Sequence, residues 1–381
     1  MIKSILDNDL YKFTMQQAVW QLYPYAEAEY TFVNRRPANF MTDSAFVAKV
    51  NGAIQAMGEL SLTHQEYDFL TDVCPFLKPL YLEGLKNHRF TPDDVSISAE
   101  DGEFSLKVAG PWYRTILWEV PLLAIISEAY FETVDTDWHH DGQAARAREK
   151  GERLSKNGVK FADFGTRRRR SYFAHNVVVN ELKNTSGFVG TSNVHLAHTH
   201  GLRPKGTTAH EWTQGISVLE GMRHANRSAM DRWAQVYEGD LGIALTDTFG
   251  SQAFWDDFST GRAKAWDGVR HDSGCPFAFA DKAISHYENL GIDPVSKIAI
   301  FSDSLNTEKA IAVTEHCDGR LGNSCGIGTH FTNDFDGSPA LNIVIKLTQM
   351  NGIHTVKLSD DAGKEIGDPE AVKVAKWVFG R

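Results

Sequence analysis

Cysteine is scarce in this chain: 381 residues contain Cys74, Cys275, Cys317 and Cys325 and no other. None stands in a C-x-x-C pair, which removes a zinc ribbon and leaves reduced thiols of a reducing compartment. Long apolar runs are missing too. The most apolar stretch, AGPWYRTILWEVPLLAIISEAYF, is interrupted by Arg114, Glu119 and Pro121. It never reaches the roughly 18 uninterrupted residues of a membrane span. The opening MIKSILDNDLYKF has early acids and no apolar signal core. A cytoplasmic protein with no membrane partner is expected. Positive charge is also short: 39 Lys and Arg face 49 Asp and Glu, for a net charge of −10. Such a chain repels polyanions on average, so nucleic acid is not an expected partner. What is present is ordinary, at 42% hydrophobic and 23% charged, and long enough to bury a large core.

No repeat or low-complexity tract divides the chain. DNDLYKFTMQQAVWQLYP predicts a helix, with Asp7 or Asn8 near its start and Pro24 past its end. AEAEYTFVNRRP predicts a strand, alternating through Ala28, Tyr30 and Phe32. LSLTHQEYDFL predicts a helix, and VSISAEDGEFSLKVAG a hairpin turning at Asp101-Gly102. From about residue 115 short strands alternate with helices, among them a long helix expected from about Ser217 to Tyr237, which implies parallel pairing with right-handed crossovers. About seven such units fit a closed (β/α) barrel better than an open sheet, following a first 110 residues that mix helix-like and strand-like pieces. The expected bounds are 1–112 for the N-terminal domain, joined by the tail 350–381, and 113–349 for the barrel.

In a barrel the chemistry sits at the carboxyl ends of the strands. Those ends read Asp163, Ser192, His210, Asp247, Arg270 with Asp272, Asp303, and the loop Gly326–Thr329. His210 is expected on a strand. Asp247 would hold one ring nitrogen and leave the other nucleophilic; a purely structural histidine is the alternative. Arg270 and Asp272, two apart on a strand, face the same side. They serve one ligand or form a surface salt bridge. Gly326, Gly328 and Thr329 in SCGIGTH either cradle a phosphate or make a tight turn. His195, His198 and His200 have a metal-like spacing but no local acid or thiol to complete a set, and metal is not expected there. Asp163-Phe164-Gly165 lacks the companions of a kinase motif.

One basic cluster stands out, Arg167–Arg170 in FADFGTRRRRSYFAH. A helix is expected from Arg167 to about Asn184. Successive helical residues point about 100° apart, so the four cannot share one site. Arg167, nearest the strand end, is expected in an anion pocket. Arg169 and Arg170 are expected to turn away from it.

Taken together, DNDLYKFTMQQAV, FVNRRP, DFGTRRR, GTSNVHLA, GTTAHEW, VRHDSG, FSDSLN and GIGTHFTND resemble the nicotinate phosphoribosyltransferase family in order and spacing, from residue 7 to about 350. The resemblance implies a type II phosphoribosyltransferase fold, an α/β fold with an N-terminal α/β domain joined to an irregular (β/α) barrel, and a homodimer whose active sites are shared between subunits. In such a dimer Arg168 is expected in the pocket of Arg167 or at the subunit interface, and Arg169 and Arg170 solvated or paired with the partner subunit. It implies that nicotinate and 5-phosphoribosyl 1-pyrophosphate give nicotinate mononucleotide and pyrophosphate, in NAD salvage. It further implies coupled hydrolysis of ATP through a phosphohistidine, a ligase-like glycosyl transfer assisted by Mg²⁺. Matched by motif, His210 is the phosphorylated residue and Asp247 orients it. Arg167 and Arg270 resemble the pyrophosphate-side arginines. Asp272 and Asp303 resemble the acids on the ribose hydroxyls or around the metal. Gly326, Gly328 and Thr329 resemble the 5-phosphate cradle. Phe164 resembles one stacking face for the pyridine ring, with the other supplied by Tyr11 of a second subunit. Mg²⁺ is expected mainly through substrate phosphates, with Asp303 as the protein candidate. Ser192 stands where a nicotinamide-using relative carries an aspartate, which favours a carboxylate ligand. Nicotinamide or quinolinate as substrate, a nucleic-acid binder using the arginines, and a non-catalytic sensor are the alternative readings.

Overall fold

The computed structural model describes residues 1–35, 42–100, 102–361 and 365–381. Arg36 and Pro37 of the FVNRRP motif and Asp101 of the expected turn lie outside the described residues. The chain forms two compact units: Met1–Glu152 with Ala162–Gly206 and Ile327–Lys346, and Arg153–Phe161 with Thr207–Gly326 and Leu347–Arg381. Among the described residues, no helix is long and apolar enough to cross a membrane.

In the first unit the helix Leu10–Leu22 has its first ten residues buried, polar ones included. Over those ten residues it is a core helix without a solvent face, which is why so little 3.6-residue periodicity shows in its sequence. Its entry is fixed by Asn8, whose side-chain amide donates to the Leu117 carbonyl (2.8 Å). Strand β1 (Glu27–Asn34) buries Ala28, Tyr30 and Phe32, as the alternation predicts. It pairs antiparallel with β3 (Glu103–Pro111), which pairs antiparallel with β2 (Val95–Glu100). The hairpin turn places Gly102 at φ +79°, a region that glycine enters without steric cost. Phe104 meets Phe32 and Phe46 edge-on at 5.5 and 5.4 Å, covering the inner face of this sheet. The helix His64–Val73 begins with a capping box between Thr63 and Glu66.

The chain has a mixed α/β fold with parallel strands, as the strand–helix alternation predicts. Strands β4 (Phe161–Asp163) and β5 (Phe188–Thr191) flank the helix Tyr172–Leu182. In the second unit β6 (Ile243–Leu245), β7 (Gly268–His271), β8 (Ile298–Phe301) and β9 (Gly322–Ile327) pair in parallel, each with the next. The helices Pro276–Asn289 and Thr307–Cys317 make the crossovers that β7–β8 and β8–β9 pairing requires. Gly268 is required: a Cβ there would sit 1.9 Å from the Ile298 carbonyl oxygen.

Three expectations fail locally. No strand precedes His210, which is the first residue of the helix His210–Leu219. The long helix expected from Ser217 to Tyr237 is two helices, because Gly221 at φ +99° breaks it before Ala225–Tyr237. No helix starts at Arg167. Residues Thr166–Arg168 form one 3₁₀ turn, Arg169 is extended (φ −60°, ψ 149°), and the helix waits for its Ser171 cap. The tail also departs from expectation. Residues 347–381 group with the second unit, where the Leu358 amide donates to the Thr248 carbonyl (2.8 Å).

Candidate functional site

In the second unit the strand ends carry the expected side chains. Asp247 lies two residues past β6, Asp272 immediately past β7, and Asp303, half-buried, two past β8. Arg270 is within β7 and Gly326 within β9. His210 comes from the helix His210–Leu219, and its Nε2 lies 2.8 Å from Asp247 Oδ1. The other oxygen of Asp247 accepts from Ser273 Oγ (2.6 Å) and faces Lys357 Nζ at 3.3 Å. Among the described residues the hydrogen bond of the His210 ring to Asp247 runs through Nε2 rather than Nδ1. Asp272 Oδ2 is 3.7 Å from the same Nε2.

Burial pushes the His210 pKa down, Lys357 pushes it further, and together they outweigh Asp247 and Asp272. The imidazole is therefore neutral near pH 7 and retains a lone pair. Burial works against ionised Asp272, but Arg270 and His210 outweigh it and hold the acid down to about 2. Asp247 moves the same way, because His210 and Lys357 overcome its burial.

Arg270 is held by structural contacts. Its Nε donates to Ser302 Oγ (3.0 Å) and its Nη1 to Thr207 Oγ1 (3.0 Å) and the Thr208 carbonyl (2.9 Å). Its Nη2 lies 3.3 Å from Asp272. Most of its N–H groups are thus committed to the segment that leads into His210 and to Asp272. The two-residue spacing does place Arg270 and Asp272 on one side.

His210, Asp247 and Asp272 offer ligand atoms within 4.8 Å of one another, a metal-like grouping. The donor set does not suit a resident Mg²⁺, which takes hard and otherwise uncommitted oxygens. Asp247 already faces Lys357 and Ser273, and Asp272 faces Arg270 and accepts from Ser302 Oγ (2.8 Å). Two acids with two cations at hand need no third.

In the first unit Asp163 is fully buried and organises the loop that follows β4. Its Oδ1 accepts from the Gly165 amide (2.9 Å), and its Oδ2 pairs with His175 Nε2 and Thr191 Oγ1, both at 2.6 Å. Phe164, half-buried, is held by its amide on the Ile327 carbonyl (2.8 Å). Gly328 approaches the same backbone; a Cβ there would meet the Phe164 oxygen at 3.1 Å. Thr329 opens the single turn Thr329–Thr332. Tyr11 is buried in the helix Leu10–Leu22, at 9% exposure.

Ser192 is buried and its Oγ donates to Asp9 Oδ1 (2.8 Å), which also accepts from Thr166 Oγ1 (2.7 Å). Burial raises the Asp9 pKa against the opposing pull of Arg167 and these hydroxyls. Sequence reading missed Asp9 and Lys357. Asp9 looked like part of a helix start, and Lys357 stands in the tail, outside every recognisable motif.

The arginine run divides. Arg167 remains 43% exposed, with Nη1 3.6 Å from Glu119. Glu119 also pairs with buried Lys12 at 2.6 Å. Arg168 Nε donates to the Ile343 carbonyl (2.8 Å). Burial, then the charges of Arg167 and Arg35, lower its pKa to about 10. Arg169 and Arg170 are neither solvated nor left for a partner subunit: both are fully buried. Arg169 grips Asp7 with two bonds (2.7 and 2.9 Å). Arg170 bonds Asn333 and Ser338 and lies 3.5 Å from the Phe131 ring centroid. The helical rotation expected for them fails because this stretch is not a helix.

The three spaced histidines have separate partners on the helix Val194–His200. His195 meets the Tyr172 hydroxyl, His198 the Phe69 ring, and His200 the Asn176 side chain.

Residues 6–127 match the model of the nicotinate phosphoribosyltransferase N-terminal domain, and residues 159–381 that of the nicotinate phosphoribosyltransferase family. The nicotinate phosphoribosyltransferase of Methanosarcina acetivorans is 49% identical, covering 100% of this chain and 99% of its own. That of Chromohalobacter salexigens is 47% identical, over 100% and 98%. The crystal structure of the Porphyromonas gingivalis nicotinate phosphoribosyltransferase superimposes with a TM-score of 0.97 at 42% identity, covering both chains completely.

Proposed function

Since the chain belongs to the nicotinate phosphoribosyltransferase family, we propose that it joins nicotinate to 5-phosphoribosyl 1-pyrophosphate and couples this to ATP hydrolysis at His210. The pyridine nitrogen forms a bond to C1 of the ribose as the C1–oxygen bond to pyrophosphate breaks. Positive charge gathers on the sugar and negative charge on the leaving group, where a guanidinium is most useful. The half-exposed Arg167 suits that role better than the heavily committed Arg270. Phe164 would offer a ring face, Tyr11 of a second subunit the other, and Gly326, Gly328 and Thr329 a phosphate cradle. Mg²⁺ would be held by the substrate phosphates, with Asp303 beside them, and would supply charge neutralisation.

The observation that carries the coupled reaction is the buried His210–Asp247 pair at 2.8 Å, with Nδ1 left for attack. Nδ1 bonds the γ-phosphorus while the bond to the β-phosphate oxygen breaks and a nucleoside diphosphate leaves. Water later cleaves the N–P bond. We place this activity in the cytoplasm, in NAD salvage and in a homodimer; four free cysteines agree with a reducing compartment. Incubation with nicotinate, phosphoribosyl pyrophosphate and Mg²⁺, with and without ATP, tests the reading. Mononucleotide should form, more of it with ATP, and His210→Ala should abolish the ATP stimulation. A variant that kept full stimulation would remove His210 from this role.

A further inference from the structure

We propose that Lys357 is a positioning residue for His210: its ammonium holds the second oxygen of Asp247, keeps the first oxygen turned to Nε2, and balances the acids around the ring. This rests on the reading of His210 as the phosphoryl acceptor.

Two carboxylates stand beside the ring, Asp247 at 2.8 Å and Asp272 at 3.7 Å. Two unbalanced acids would keep a proton on the imidazole, and a protonated ring has no lone pair for phosphorus. The structure gives each acid its own cation. Arg270 takes Asp272 at 3.3 Å, and Lys357 takes Asp247 at 3.3 Å. Burial lowers the affinity of His210 for a proton, and Lys357 is the next cause.

Lys357 is not a loose surface lysine. Its side chain is 10% exposed. Its backbone is clamped on both sides, with its amide on the Ile366 carbonyl and the Ile366 amide on its own carbonyl, each at 2.8 Å. The neighbouring Leu358 amide reaches the carbonyl of Thr248, the residue after Asp247. The same short segment touches Asp247 by a second route. The Asp360 amide donates to Ser273 Oγ (3.2 Å), which donates to Asp247 Oδ2 (2.6 Å). A salt bridge serving stability alone needs no such double attachment. An aspartate that orients a reactive ring must not swing, and both routes fix the same oxygen.

The test compares Lys357→Met, Lys357→Gln and Lys357→Arg with the native enzyme, measuring kcat and KM for ATP hydrolysis and the yield of acid-labile phosphoprotein. Folding is checked by thermal melting; the Gln variant stands in should Met not fold. Loss of the cation should lower kcat tenfold or more while KM for ATP moves less than twofold. Arg should restore most of the rate. Native kcat in a folded Met or Gln variant overturns the proposal, as does an Arg variant no better than they are. His210→Ala, run alongside, separates the two readings. If it hydrolyses ATP as the native enzyme does, the phosphohistidine reading fails; if it is inactive while Lys357→Met is native-like, the Lys357 proposal alone fails.

Discussion

Ser192 shares its hydrogen with Asp9, so a ligand carboxylate competes with Asp9 for one donor. The competition eases when Asp9 is protonated, and burial moves Asp9 in that direction. Selection for a carboxylate would then belong to the pair rather than to the serine alone. Ser192→Asp places a second acid against a buried one and, by like-charge repulsion, against nicotinate. The expected result is a fall of at least about tenfold, or ~1.4 kcal/mol, in kcat/KM for nicotinate. Steady-state kinetics with nicotinate and nicotinamide would measure it, and an unchanged value would take Ser192 out of substrate selection. Single residues were legible where a strand end announced them, as with Asp247, Asp272 and Asp303. Asp9 and Lys357 were not, because each meets a partner far away in sequence and neither belongs to a motif that names that partner.

Among the elements, the segment ahead of the helix Leu10–Leu22 is tied to the arginine turn by Asp7 and Arg169, both at 0% side-chain exposure. Burial alone would raise the Asp7 pKa, but Arg169 and Asn193 overcome it and bring it to about 2, from an ordinary 3.8. A folded-state pKa below the unfolded one stabilises at pH values above about 3.8, and that stability is lost as pH falls toward 2. The shift amounts to about 2 kcal/mol. Asp7→Asn strands a buried guanidinium and should cost about 3–5 kcal/mol at neutral pH. It should also flatten the acid loss between pH 4 and 2, which urea unfolding at several pH values would show; the same slope in both proteins contradicts this. Periodicity revealed the strands and most helices. It failed at Arg167–Arg170 because four helix-tolerant residues carry no signal against a helix, while Gly165 and the Ser171 cap, which set the real start, are local cues easily outweighed. It failed at His210 because Thr207 and Thr208 look like strand residues although the chain there is held by Arg270 instead of a sheet.

For the whole molecule, the net charge of −10 and the burial of half the arginine run point the same way. Two of the four guanidinium groups are spent inside the fold, so no continuous basic surface comes from this run. Retention of RNA or DNA should stay at background at about 0.1 M salt, where counterion release still favours true binders. Salt-dependent retention in a filter or mobility assay would contradict this. The α/β class and the placement of polar residues at strand ends were legible because alternation repeats along hundreds of residues. The course of the tail was not, since its attachment through Leu358 and Lys357 depends on backbone bonds that leave no mark on composition.

Synthesis runs from the amino end, so a growing chain holds His210 and Asp247 long before it holds Lys357. Until that late segment is made and has closed onto Thr248 and Ser273, the second oxygen of Asp247 lacks its cation. The surroundings of the His210 ring are thus among the last parts of its unit to be completed. On the proposed phosphohistidine reading, an unfinished chain would carry His210 without the setting that activates it, and would have little means of wasting nucleotide.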